Sequence, residues 1–253
     1  MTLYASPDVG FLLIGGRSVL GRVTDVSDSE EHVVEEDTPL GQAYDTWKAV
    51  GQSIWTCSQN GFYDSDSGAI NEALALSGPQ PMLFAPIGNS IGDPCVVTSG
   101  VRTTFEKGLA RGQLHRANAS YRTNTGKREG FIVAPLAART SAGPTAVGSV
   151  DFGTAFANQE TGKLVGVLQV TNLDLDGGTA LVVTIRDSDD DITFADLIAF
   201  TNVTASPASE EVEQAAAASP SDIERYVEID YEFTGGAGAS RTATFAVGVA
   251  RVL

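Results

Sequence analysis

The sequence predicts an all-β protein: an N-terminal β-barrel or sandwich with one flanking helix, followed by a C-terminal antiparallel β-sandwich. Three observations predict it. Two stretches alternate with a period of two: Ser53, Trp55, Cys57 and Gln59 against Ile54, Thr56, Ser58 and Asn60, and Val227, Ile229, Tyr231 and Phe233 against Glu228, Asp230 and Glu232. That is the pattern of strands with one buried and one wet face. Apolar segments are separated by turn signals such as Gly15-Gly16, Asp176-Gly177-Gly178 and Gly235-Gly236-Ala237-Gly238, the punctuation of antiparallel sheets. One segment alone reads as a good helix, with Ser67 as cap, Ile70, Leu74 and Leu76 as its apolar face, and Gly78-Pro79 as its stop.

In chain order, residues 7–26 read as a strand pair, Gly10 to Ile14 and Ser18 to Val26, joined at Gly15-Gly16. Asp28 to Asp37 carries six acids in ten residues, and like-charge repulsion predicts a solvated loop there. This loop runs into Pro39 to Asp64, which holds both tryptophans, Trp47 and Trp55, with Tyr44, Phe62, Tyr63 and Cys57. Its alternating part predicts a central strand that ends at an Asn60-Gly61 turn. After the helix, Met82 to Ile87 reads as a buried strand and Asn89 to Pro94 as a turn. Cys95 to Thr104, Gln113 to Arg122 and Glu129 to Val133 read as further strands.

Residues 134–149 are small, bear Pro and Gly, and are almost uncharged, which predicts a linker between a first unit, 1–143, and a second, 144–253. Beyond it the period-two signal returns in Leu164 to Val170, Ala180 to Ile185, Phe194 to Phe200, Tyr226 to Phe233 and Thr242 to Val252. Glu210 to Ser219 has the propensity of a helical turn, a weak signal between strands.

Composition narrows the function. The chain has 253 residues, 32 Asp and Glu against 16 Lys and Arg, and a net charge of −16. Sequence-specific nucleic-acid binding needs a net positive surface, so it is excluded as the main role. The acidity is uneven: residues 1–145 hold 15 acids and 11 bases, and residues 146–253 hold 17 acids and 5 bases. The N-terminal apolar run, Phe11 to Ile14, is far short of a membrane span and has no basic segment before it. Folding in a cytosol, without membrane insertion, is the expectation. Two cysteines make no disulfide framework, and Cys57 and Cys95 read as buried thiols.

Catalytic chemistry finds no foothold. His32 and His115 are too scattered for a zinc site or an imidazole relay, and no G-x-S-x-G occurs. The Gly-rich segments lack the Lys-Ser/Thr ending of a phosphate loop. Asp187, Asp189 and Asp191 have the 1-3-5 spacing of a calcium loop, but Ile192 replaces the glycine at position 6 and Ile198 the glutamate at position 12. An EF-hand is excluded, and these three aspartates remain only a weak candidate for an irregular metal site. No cofactor and no enzymatic activity are expected. Between Arg102 and Arg128 lie seven bases, Arg102, Lys107, Arg111, Arg116, Arg122, Lys127 and Arg128, with the single acid Glu106. They read either as a solvated sheet edge or as a surface that docks onto acidic segments of another copy.

The order of these features resembles a known family. A small N-terminal strand pair, an acidic loop running into T-P-L-G-Q-A-Y-D-T-W, then G-Q-S-I-W-T-C-S-Q-N-G-F-Y-D, a short helix and P-I-G-N-S-I-G-D-P resemble the major tail tube proteins of long-tailed double-stranded DNA bacteriophages. That resemblance covers about residues 10–140. The later segments L-V-G-V-L-Q-V-T-N-L and R-Y-V-E-I-D-Y look like the outer β-sandwich appended to many such proteins.

The resemblance implies a structural virion protein, assembled in the host cytoplasm, whose hexameric rings stack into a tube for genome delivery. Its implied partners are other copies of itself, tape measure, terminator and tail-tip proteins, and DNA in passage. In that setting Glu30, Glu31, Glu35, Glu36, Asp37, Tyr44 and Trp47 are expected on an inter-subunit or inter-ring loop, with the seven bases as its counter-surface. The competing expectation is a secreted or cell-surface lectin-like or adhesin-like module, with calcium at Asp187 to Asp191.

Overall fold

The computed structural model describes residues 10–19, 23–32, 34–36, 47–49, 53–62, 70–108, 115–123, 126–141, 146–153, 163–214, 223–236 and 240–252. They form β1 (Phe11–Ile14), β2 (Arg17–Ser18), β3 (Val23–Glu31), β4 (Val34–Glu36), β5 (Trp47–Ala49), β6 (Ile54–Phe62), α1 (Ile70–Ala75), β7 (Gln80–Ala85), β8 (Pro94–Gly108), β9 (Arg116–Thr123) and β10 (Arg128–Thr140). The chain continues with β11 (Ala146–Asp151), β12 (Lys163–Asp174), β13 (Ala180–Ser188), β14 (Ala195–Ala199), β15 (Ala208–Glu213), β16 (Tyr226–Thr234) and β17 (Thr242–Val252). The fold is all-β.

One large sheet runs β15-β12-β17-β10-β8-β7-β1-β2, and β9, β6 and β3 continue it from β8. A second sheet, β11-β16-β13-β14, covers part of its face, and β4 and β5 form a separate two-stranded ribbon.

Three apolar cores follow from the pleat. Alternate residues of the central strands point to opposite faces, and here both faces are covered. On β12, Leu164 and Leu168 face the second sheet in one core, while Val165 and Val167 face a different core. β17 divides likewise, with Phe245, Val247 and Val249 on one side and Ala246 and Ala250 on the other. This is why these strands read as nearly continuous apolar runs. On β7, Leu83 and Ala85 share the core of Val165, whereas Met82 and Phe84 enter a third core with Trp55, Tyr121 and the helix residue Leu74. The middle core is therefore the inside of a curled sheet built from β1, β7, β8, β10, β17 and β12.

The curl is closed by one side chain. Gln169 on β12 is fully buried. Its Nε2 donates to the Pro81 carbonyl on β7 at 2.8 Å, and its Oε1 accepts from the Gly16 amide in the β1–β2 turn at 2.7 Å. Gly16 has φ +76°, and a Cβ there would meet the Ala208 backbone at 2.5 Å. Only glycine lets this turn lie against β15. Arg128 on β10 and Glu211 on β15 add an ion pair of 2.7 Å.

The large sheet crosses the expected boundary at residue 143. β10 is hydrogen-bonded to β8 on one side and to β17 on the other, and β17 to β12. The expected linker at 134–149 is largely strand. Its small residues pair with β17 through two register shifts, between Ile132 and Ala134 and between Ala134 and Ala137. Pro135, which has no N–H to give a ladder, sits in the second shift. Arg139 takes the carbonyls freed there: its guanidinium donates to Pro135 at 2.8 Å, Ala137 at 3.0 Å and Phe245 at 2.8 Å. It lies 4.1 Å from the Phe245 ring centroid, and burial lowers its pKa to about 10.

Two other expectations change. Asn60 and Gly61 form no turn but lie inside β6, paired with Asn118 and Ala117 of β9. Of the segment 210–219, Glu210 to Glu213 belongs to strand β15, where pairing with β12 outweighs helical propensity. The helix is found at Ile70–Ala75.

Gln169→Leu orphans the buried Gly16 amide, and the expected cost is about 1–3 kcal/mol, read as a lower urea midpoint at unchanged slope. An unchanged midpoint contradicts the closure role. A chain ending at Gly143 loses both β12 and β17 and exposes Phe11, Leu13, Leu83 and Ile132. It is expected to show no cooperative thermal transition, and a sharp one would show that residues 1–143 fold alone.

Candidate assembly surface

Some of the N-terminal residues singled out in the sequence lie on a leaf of four strands, β8, β9, β6 and β3. The first half of β8 lies between β7 and β10; from Gly100 onward its ladder is with β9. Thr98, whose Oγ1 donates to the Gly126 carbonyl at 2.7 Å, pins the point where β9 gives way to β10. β9 pairs with β6, and β6 with β3, all antiparallel.

The leaf has two unlike faces. Inward lie Trp55, Cys57, Ala117, Ala119 and Tyr121. Trp55 is fully buried, and its indole N–H is satisfied by the Asp28 carboxylate at 2.9 Å, as a buried indole requires. Burial, and secondarily the charge of Asp28, push the Cys57 thiol up to about 12. Burial raises Cys95 as well. Both are free, buried cysteines.

The other face is hydroxyl and amide. Ser27 pairs with Ser58, and Ser58 with Ser120, whose hydroxyls are 2.9 Å apart. Ser29 pairs with Thr56, Asn60 with Asn118, and Ser120 with Thr104. The same face also carries charge: Asp25 and Glu31 on β3, Arg116 and Arg122 on β9, and Glu106 on β8.

The acidic segment is therefore no loop through its first part. Asp28, Glu30 and Glu31 lie in β3, opposite Cys57, Trp55 and Ile54, and Glu35 and Glu36 lie in β4, opposite Lys48 and Trp47 of β5. Strand geometry resolves the repulsion, because successive side chains leave by opposite faces. Lys127 stands 3.8 Å from Glu30. The β4–β5 ribbon is hydrogen-bonded to no other strand among the described residues, and Val34 on it is 49% exposed. Asp37 and Tyr44 lie outside the described residues.

The seven bases do not form one surface. Arg102 donates to the Leu74 carbonyl at the end of α1. Lys127 is held by Glu129 at 2.7 Å, and this hydrogen bond raises its pKa. Arg128 is turned toward Glu211 inside the curl. Lys107, Arg116 and Arg122 are exposed, and Arg111 lies outside the described residues. What the residue types did not reveal is the Ser/Thr/Asn face. The alternation of Thr56, Ser58 and Asn60 signalled it on one strand, but the matching residues of β3 and β9 need the register.

The C-terminal aspartates diverge. Asp187 is buried, its carboxylate accepts from the Glu224 amide at 3.0 Å, and burial raises its pKa. Asp190 accepts from the Thr193 and Ile192 amides at 2.8 and 2.9 Å, and these bonds lower its pKa. Asp191 takes the Ser149 hydroxyl at 2.5 Å. Among the described residues no three His, Cys, Asp or Glu side chains are grouped to hold a metal ion. No described helix is long and apolar enough to cross a membrane.

No family model matches the chain, and no curated protein matches it. Solved structures give distant likenesses. A chain of the native gene transfer agent virion is similar at 9% identity and a TM-score of 0.40, over 49% of this chain and 97% of that one. The SPP1 Dit protein, a phage adsorption-apparatus hub, is similar at 10% identity and a TM-score of 0.34, over 96% and 99%. The VP2 protein of infectious bursal disease virus is similar at 14% identity and a TM-score of 0.33, over 99% and 59%.

Proposed function

We propose that this chain is a structural protein of a phage-type tail, whose copies join into rings that stack as a tube for genome delivery. The observation that carries the proposal is the β8–β9–β6–β3 leaf, with an apolar inner face and an outer face centred on serine, threonine and asparagine that no described element covers. A face of small neutral polar groups stays hydrated and offers few cations to retain a phosphate backbone. Six copies is the ring size that the resemblance implies. Four strands from each make 24, and at ~4.8 Å per strand these span a circumference of about 115 Å, a bore of about 37 Å before tilt. In this reading residues 1–143 supply the wall and residues 144–253 the outer decoration, while β12 and β17 brace the wall through the shared sheet.

The β4–β5 ribbon serves the second contact. With Glu30 and Glu31 on β3 before it and Glu35, Glu36 and Trp47 on it, the ribbon is our candidate contact to the next ring; Asp37 and Tyr44, assigned to the same contact, lie outside the described residues. The tape measure, terminator and tip proteins are the partners that such a tube requires at its core and ends.

Negative-stain microscopy of the purified protein tests this directly. Rings or tubes about 100 Å across, two ~10 Å sheet layers and their decoration around the bore, are expected. A dispersed monomer at high concentration overturns it. Reversing Glu35→Lys and Glu36→Lys together is expected to shorten or abolish tubes and leave the thermal midpoint unchanged. Tubes of normal length from that variant remove the ribbon from the contact.

A further inference from the structure

We infer that the cleft between the loop at residues 89–93, β10 and β11 is a binding site for a neutral sugar ring, held without a metal ion. Every wall of the cleft belongs to one copy, so the site does not depend on the tail reading above.

The cleft opens at the margin of the core between the two sheets. Its volume is about 330 Å³, and its walls include Ile91, Gly92, Phe131, Ser149, Asp151 and Phe152. That size suits one small ligand, at the lower end of the range for such sites. Phe131 is 36% exposed, and among the described residues only Val34 and Ile192 are other large apolar side chains left so open. The Phe131 and Phe152 rings stand 5.5 Å apart at 60°. Ile91 and Phe152 are anchored behind against the core that holds Val150.

Both sides of the cleft are fixed by the chain itself. On one side the Gly92 amide donates to the Ile132 carbonyl at 2.8 Å, and the Ile132 amide to the Asp93 carbonyl at 2.9 Å. The Asn89 side chain adds bonds to the Leu136 amide and carbonyl. Gly92 has φ +85°, and a Cβ there would meet nothing within 4 Å, so open space lies beside this backbone. On the other side the Phe152 amide donates to the Arg225 carbonyl at 2.9 Å. The Asp151 carboxylate accepts from the Arg225 guanidinium at 2.8 and 2.7 Å and from the Gly153 amide at 2.7 Å. The Ser149 hydroxyl is held by Asp191 at 2.5 Å.

These groups match the two halves of a sugar. A pyranose has a face of C–H groups and a rim of hydroxyls. The two phenyl rings offer apolar, electron-rich faces to the C–H groups. A carboxylate has about four acceptor positions, and the bonds to Arg225 and Gly153 use three at Asp151, which leaves one for a ligand hydroxyl. The Ser149 oxygen still accepts as well. Charge narrows the ligand further. Arg225 is engaged by Asp151, and Asp191 stands behind Ser149, so a phosphate or carboxylate ligand meets negative charge. A wholly apolar ligand would strip water from Asp151 and return no hydrogen bond.

Saturation-transfer NMR of the full chain in EDTA, with glucose, galactose, mannose and N-acetylglucosamine as probes, tests the site. At least one sugar is expected to give a saturable signal, strongest at the C–H protons of one ring face. Phe131→Leu and Phe152→Leu keep apolar bulk and remove one ring each. Either is expected to weaken the affinity about three- to tenfold, the scale of one aromatic contact. Phe131→Tyr, which keeps the ring, is expected to bind as the parent does. No saturable signal from any of the four sugars overturns the inference, and so does an affinity unchanged in both leucine variants. A signal that appears only with added calcium and is lost in Asp189→Asn assigns the sugar to the aspartate loop and overturns it too.

Discussion

The structure depends on closing a sheet whose central strands are apolar on both faces. β12, β17, β10 and β7 can be stable only if each face finds a cover, and the curl supplies one of the two. Closure brings β12 to β7 and to the β1–β2 turn, where no ladder joins them. Gln169 joins them instead, with one amide end on the Pro81 carbonyl and the other on the Gly16 amide. A polar side chain fully buried among valines and leucines is tolerable because both ends are matched. Gly16 is the steric half of the same device, since any side chain there strikes β15.

Closing the curl on one side commits the other side to remain open. β8 is long enough to serve twice, first as a wall of the curl and then as a margin of the leaf. The leaf buries its inner face against α1, β1 and β7 around Trp55 and Tyr121. Its outer face and its two margins have no such cover among the described residues. An all-β chain ordinarily blunts such edges. This one carries four acids and no base on β3, and on residues 101–108 of β8 two bases against one acid.

Much of this was legible in the sequence, and the reason it was legible is local. Period two found β6 and β16, apolar segments between turn signals found β12, β13 and β17, and the apolar face and stop signals found α1. Longer-range features were not legible. Asp28 to Glu36 looks like a repelling loop until the register sets Asp28 against the Trp55 indole and sends neighbouring carboxylates to opposite faces. The small residues from Ala134 to Thr140 look like a linker until β17 pairs with them from more than a hundred residues away. Gln169 carries no signal, because a single amide in an apolar run says nothing of its partners. The seven bases looked like one surface because spacing cannot show that Arg128 turns inward to Glu211 and Arg102 to the end of the helix.

Hydrogen exchange measured on dispersed and assembled protein tests the central claim most directly. The account predicts that the outward-pointing amides of Val23–Glu31 and of residues 102–108, those not bonded to β6 or β9, exchange quickly in the dispersed chain and become protected on assembly. β12 and β17, ladder-bonded on both sides within one copy, stay protected throughout. Assembly that leaves both margins of the leaf exchanging as before would contradict it.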